Sequence, residues 1–118
     1  MEYKAPVESY SGQVREVVIG KDSKTLKIGG GNNPPFHFVD DGNIPNKPSL
    51  ALEVLDTEPT GWAEGLLEPI KDVMSDPVKW AQKCVKEFGA DAIFLRLEST
   101  DPAGKNGSVD EAAATAKK

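Results

Sequence analysis

The apolar positions of this chain fall into short runs whose spacing alternates between strand-like and helix-like, and the switches mark its elements. Residues 1–12 read as an extended lead-in with Pro6 and Gly12. Val14, Val17, Val18 and Ile19 predict a strand over Gln13–Ile19, with the alternation slipping at Val17. Gly20-Lys21-Asp22-Ser23 is turn chemistry, and Leu26 and Ile28 then alternate with Thr25 and Lys27, so the pair predicts a β-hairpin. Gly29 to Pro35 breaks regular structure, Phe36–Val39 is a further extended piece, and residues 40–43 form a turn. Ser49–Asp56, SLALEVLD, predicts a strand with Leu50, Leu52 and Val54 on one face and Ala51, Glu53 and Leu55 on the other. Apolar on both sides except for one acid, it suits a sheet buried on both faces.

Residues 57–75 make a long connection in which Trp62, Leu66, Leu67, Ile70 and Val73 supply a short helical turn and packing contacts. Helical spacing follows. Asp76 is a good N-cap, Pro77 falls at the first helical position, and Gly89 sits where a left-handed terminal residue is wanted. Val78, Ala81, Cys84, Val85 and Phe88 share one side, Lys79, Gln82, Lys83 and Lys86 stay wet, and Trp80 lies at the margin. Asp91–Pro102, DAIFLRLESTDP, is then an apolar strand ending in hydroxyls and carboxylates. Strand, connection with helix, and strand make a parallel βαβ unit.

In that second strand Ala92, Phe94, Arg96 and Glu98 share one face, while Ile93, Leu95 and Leu97 form an aliphatic face expected against helices. Arg96 then falls on the face that Glu53 occupies next door, which predicts a buried carboxylate–guanidinium pair with a structural role. After a loop over Ala103–Gly107, Ser108 and Glu111 form a capping box at the start of an alanine-rich helix running to Lys118.

Composition narrows the chemistry. The 118 residues suffice for one ordinary domain, and 38% hydrophobic with 28% charged residues is a globular balance. A net charge of −5 without a basic block argues against a nucleic-acid surface. No apolar run reaches the roughly 18 residues of a membrane span, and the N-terminus lacks a signal-peptide core, so a cytoplasmic protein is the default. A single cysteine, Cys84, excludes an intrachain disulfide. With one histidine, His37, it cannot by itself supply a zinc site or hold an iron–sulfur cluster. Cys84 reads as a small buried hydrophobe and His37 as a structural or solvated residue. The Gly29-Gly30-Gly31 run invites comparison with a phosphate loop, but Pro34 and Pro35 remove donors and block a helix start, so a turn is the better reading.

Several blocks carry a resemblance: IGG at Ile28–Gly30, PPFHF at Pro34–Phe38, IPNKPSLALEVLD at Ile44–Asp56, DPVKWAQKCVKEFGADAIFLRLESTDP at Asp76–Pro102, and the closing VDEAAATAKK. Together they resemble the small subunit of the corrinoid iron–sulfur protein, the delta-type subunit of the CO dehydrogenase/acetyl-CoA synthase system. One departure is Phe36–Asn43, longer than the corresponding segment of that family. The resemblance implies a TIM (β/α)8 barrel preceded by a β-hairpin. Residues 1–43 would be the N-terminal extension, and residues 44–118 the first βαβ unit and the opening of barrel helix two. A complete barrel needs on the order of 250 residues, so the chain is expected to be the N-terminal portion of a longer protein.

The same resemblance implies a heterodimer with a large subunit that carries a 4Fe-4S cluster and the corrinoid, which lies at the interface under the barrel top. Its cobalt would take a methyl group from a methyl-pterin through a methyltransferase and deliver it to acetyl-CoA synthase. This subunit would enclose the cofactor, with no catalytic residue and no metal ligand of its own. Barrel sites form at strand C-termini, which selects Asp56, Thr57, Glu98, Ser99, Thr100 and Asp101 as the rim facing the corrinoid. The plainer reading of these six is turn and capping chemistry. Two alternatives stand beside the carrier: a pterin-dependent corrinoid methyltransferase acting as an enzyme itself, and an unrelated α/β barrel fragment.

Overall fold

The computed structural model describes residues 2–3, 11–31 and 44–118. The expected extended piece at Phe36–Val39, its turn and His37 lie outside those residues. The chain divides into two units, Met1–Ser49 and Leu50–Lys118. Residues 44–49, expected with the barrel, therefore go with the first.

In the first unit, β1 (Val17–Lys21) and β2 (Lys24–Ile28) pair antiparallel, with Val17 opposite Ile28 and Lys21 opposite Lys24. The hairpin is present, but its turn is tighter than the sequence suggests. Only Asp22 and Ser23 lie between the strands, while Gly20 and Lys21, expected in the turn, belong to the ladder. Gly20 sits at φ +107°, where a Cβ would collide with the Lys24 carbonyl, so the close approach itself demands glycine. The glycine run after β2 closes back on the chain: Gly30 N–H donates to the Val14 carbonyl at 3.0 Å, and Val14 N–H to that of Gly31 at 2.8 Å. Gln13 Nε2 adds a bond to the Gly30 carbonyl. A backbone donor that a phosphate would need is thereby spent. Asn46 pins the Ile44–Ser49 strap to this turn, its amide donating to the Gly29 carbonyl and to Glu16 Oε2, both at 2.9 Å.

In the second unit, β3 (Ala51–Leu55) and β4 (Ala92–Arg96) pair parallel in the register Leu52–Ile93, Glu53–Phe94, Val54–Leu95 and Leu55–Arg96. Between them come α1 (Glu64–Leu67), a 3-10 turn over Glu68–Ile70, and α2 (Pro77–Lys86). A second 3-10 turn, Glu98–Thr100, and α3 (Val109–Ala116) complete the unit. The expected α2 signals act as anticipated: Asp76 Oδ1 accepts from the N–H groups of Val78 and Lys79 at 3.0 and 3.2 Å, and Gly89 adopts φ +70°. The capping box of Ser108 and Glu111 opens α3.

The core is Val54, Leu55, Ile70, Trp80, Cys84 and Ala90, with Leu52, Trp62, Val73, Met74, Ala81 and Ile93 packed against it. This corrects the orientation expected for α2. Trp80 is 2% exposed and central, whereas Val85 and Phe88, expected in the buried stripe, are 50% and 39% exposed. The helix rolls to bury its largest ring, which meets Trp62 edge-on at 6.2 Å and 76°. Lys83, expected wet, is only 15% exposed at its side chain, its stem covered while its ammonium reaches Asp72 Oδ1 at 2.6 Å. That contact raises the Lys83 pKa and lowers that of Asp72. The aliphatic face of β4 meets the core through Ile93, as expected. The opposite face is open around Phe94, which is 68% exposed, while Leu55 at its C-terminal end is 2% exposed, so the expected burial on both sides holds only in part among the described residues. No helix there is long and apolar enough to cross a membrane.

Candidate functional site

Parallel pairing places the C-terminal ends of β3 and β4 at one edge of the sheet, and the polar residues that follow each strand meet there. The ladder runs one step past β3, since Asp56 N–H donates to the Arg96 carbonyl at 3.2 Å. That step sets Asp56 beside the Glu98–Thr100 turn. Its Oδ1 accepts the Ser99 N–H at 3.0 Å and its Oδ2 accepts the Ser99 hydroxyl. Ser99 is 8% exposed, so this carboxylate satisfies two donors that water reaches poorly.

Thr57 and Glu98 form the second link, the threonine hydroxyl donating to Glu98 Oε2 at 2.8 Å. Glu98 Oε1 lies 3.8 Å from Arg96 Nη2, and Arg96 Nη1 lies 3.9 Å from Glu53 Oε2. The Glu53–Arg96 contact therefore exists, but it is not the buried pair expected: the side chains are 43% and 56% exposed. At that exposure it is a weak ion pair that orients Arg96 along the sheet face. It lacks burial because, among the described residues, the part of that face around Phe94 is open.

Thr100 and Asp101 turn back on their own loop. The Thr100 hydroxyl donates to the Leu97 carbonyl at 2.7 Å, and Asp101 Oδ1 accepts the Ala103 N–H at 2.8 Å. The Asp101 carbonyl accepts from Gly104 and Asn106 at 3.0 and 2.9 Å. Gly107 was not singled out by the sequence, yet its N–H donates to the Ser99 carbonyl at 2.7 Å, and a Cβ there would sit 3.0 Å from that oxygen. The Asn106-Gly107 dipeptide is a turn signal that could have flagged it.

The six expected rim residues thus divide. Asp56, Ser99 and Asp101 hold the two loops in place, which is the plainer turn-and-capping reading. Thr57, Glu98 and Thr100 are half-buried and keep oxygen lone pairs at the edge, the two threonines having made one hydrogen bond each and Glu98 one hydrogen bond and the ion pair with Arg96. The edge therefore offers hydrogen-bond acceptors. Among the described residues no cluster of three or more His, Cys, Asp or Glu is arranged for a metal. Cys84 lies in the core, where burial pushes its thiol pKa up.

Comparison with known proteins matches residues 16–118 to the family described as CO dehydrogenase/acetyl-CoA synthase delta subunit. The chain is 40% identical over 119 aligned residues to the acetyl-CoA decarbonylase/synthase complex subunit delta of Methanocaldococcus jannaschii, covering 96% of this chain and 29% of that protein. The subunits of the same name from Archaeoglobus fulgidus and Methanothermobacter thermautotrophicus are 37% and 34% identical. Those alignments cover 80% and 95% of this chain, and 22% and 28% of the two relatives. The chain thus spans less than a third of the length of these relatives.

Proposed function

The chain belongs to the CO dehydrogenase/acetyl-CoA synthase delta subunit family, and from that premise we propose that it is part of the small subunit of a corrinoid methyl carrier. The observation that carries the proposal is the meeting of both post-strand segments, each within the matched region, at one edge of a parallel sheet. In this reading β3, α2 and β4 are the first βαβ unit of a (β/α)8 barrel. The open face bearing Glu53, Phe94 and Arg96 lines the barrel interior, and the edge at Asp56 and Glu98–Asp101 belongs to its top.

The residues at that edge suit a corrinoid. The periphery of such a ring carries amide side chains whose N–H groups need acceptors, and Thr57, Glu98 and Thr100 keep oxygen lone pairs there. Asp56 and Asp101 act behind them by fixing the loops. When bound, the corrinoid supplies the cobalt that carries the methyl group, and this chain's contribution is to position the ring and limit access of water. A 4Fe-4S cluster does not fit these residues, since the one cysteine is buried, and belongs to the large partner subunit. Methyl-pterin methyltransferase and acetyl-CoA synthase are the proposed donor and acceptor partners.

The test is methyl transfer by the full-length subunit. Transfer that requires the large subunit with its corrinoid supports the carrier. Turnover from methyl-tetrahydropterin to free cobalamin by the delta subunit alone would refute it in favour of a methyltransferase barrel.

A further inference from the structure

Asn106-Gly107 is the one Asn-Gly step in the sequence, and it lies in the exposed loop between the Glu98–Thr100 turn and α3. An asparagine followed by glycine can react with its own backbone, because no side chain hinders approach of the next nitrogen. The Gly107 nitrogen, giving up its proton to water, bonds to Asn106 Cγ. The Cγ–Nδ2 bond breaks as Nδ2 takes a proton from water, and ammonia leaves. Water then opens the resulting succinimide at either carbonyl, giving aspartate or an isoaspartate whose main chain runs through Cβ. No oxidant or reductant is needed.

The fold holds the reacting nitrogen back. Gly107 N–H donates to the Ser99 carbonyl at 2.7 Å, and Asn106 N–H to that of Asp101 at 2.9 Å. Asn106 is at φ +50°, a left-handed conformation that asparagine tolerates. Before it can attack, the Gly107 nitrogen must leave Ser99, so reaction waits on a local opening of the loop. Ser99 is itself fixed by both oxygens of Asp56. We infer that Asn106-Gly107 is a latent deamidation site whose rate is set by the Asp56–Ser99 clamp. The consequence falls on the candidate rim, since isoaspartate lengthens the chain by one backbone atom inside the loop that closes on Ser99.

The experiment incubates the protein at mildly alkaline pH beside an unstructured peptide of the sequence Ala103–Ser108. It follows a one-dalton mass gain and isoaspartate in the peptide containing Asn106. The wild-type protein should react more slowly than the peptide. Asp56→Ala should accelerate it by about 30-fold or more, up to the rate of the peptide, because both hydrogen bonds to a charged acceptor are lost, and Ser99→Ala, which keeps one, by about fivefold. If Asp56→Ala fails to fold, Ser99→Ala carries the comparison. Asn106→Gln should abolish the mass gain at this position. A wild-type rate equal to that of the peptide, or unchanged rates in both clamp variants, would overturn the inference.

Discussion

Replacing Asp56 with alanine removes both acceptors of Ser99 at once, and the structure sets the size of the effect. Ser99 is 8% exposed, so its N–H and hydroxyl lose a charged partner where water is scarce. A hydrogen bond to a charged group contributes roughly 1.5–3 kcal/mol, and a buried donor left unpaired costs about 1–3 kcal/mol. The hydroxyl can rotate towards solvent while the N–H cannot, so the two losses do not sum fully. The expected destabilisation is about 2–4 kcal/mol, a large share of a typical domain's roughly 5–15 kcal/mol. Asp56→Asn keeps an acceptor for the N–H and should cost about 1 kcal/mol. Urea denaturation gives the totals, and amide exchange at Ser99 and Gly107 localises the loss. A value for Asp56→Ala within about 0.5 kcal/mol of wild type, the range of ordinary surface substitutions, would show that the carboxylate does not hold the turn.

Further expectations test the core and the caps. Trp80→Ala should destabilise by about 3–5 kcal/mol, and a double-mutant cycle with Trp62→Ala should show coupling of about 0.5–1.5 kcal/mol; additive losses would mean the rings do not touch. Cys84 should resist thiol reagents in the folded protein and react on unfolding, as its burial and raised pKa dictate. Glu111 is held below its ordinary pKa of 4.5, chiefly by the Ser108 backbone N–H and then by its hydroxyl. Because the folded pKa is depressed, its contribution to α3 is complete above 4.5 and lost as pH falls through the folded value. Helical circular dichroism should show that acid loss in wild type and not in Glu111→Gln.

Local chemistry was legible wherever partners lie close in sequence. Asp76, Pro77 and Gly89 delimit α2 in the sequence as they do in the fold, and the capping box joins residues three apart. What escaped depends on partners far apart. Asp56 and Ser99 are 43 residues distant and meet only because the parallel register aligns their strand ends. The roll of α2 was hidden because its apolar residues span more than one stripe. Trp80 and Cys84, four apart, make one arc, and Val85 with Phe88 make another, so only the position of Trp62 and the sheet selects between them. Gly20 misled for a different reason, since a glycine needed for a close backbone approach looks like one needed for a turn.

The proposed role has the sheet edge at residues 56–57 and 98–101 face a corrinoid. Hydrogen–deuterium exchange on the full-length subunit assembled with its large partner, with and without corrinoid, addresses it directly. Exchange should slow over both segments only when corrinoid is bound. Unchanged exchange at both, with corrinoid demonstrably present in the complex, would contradict it.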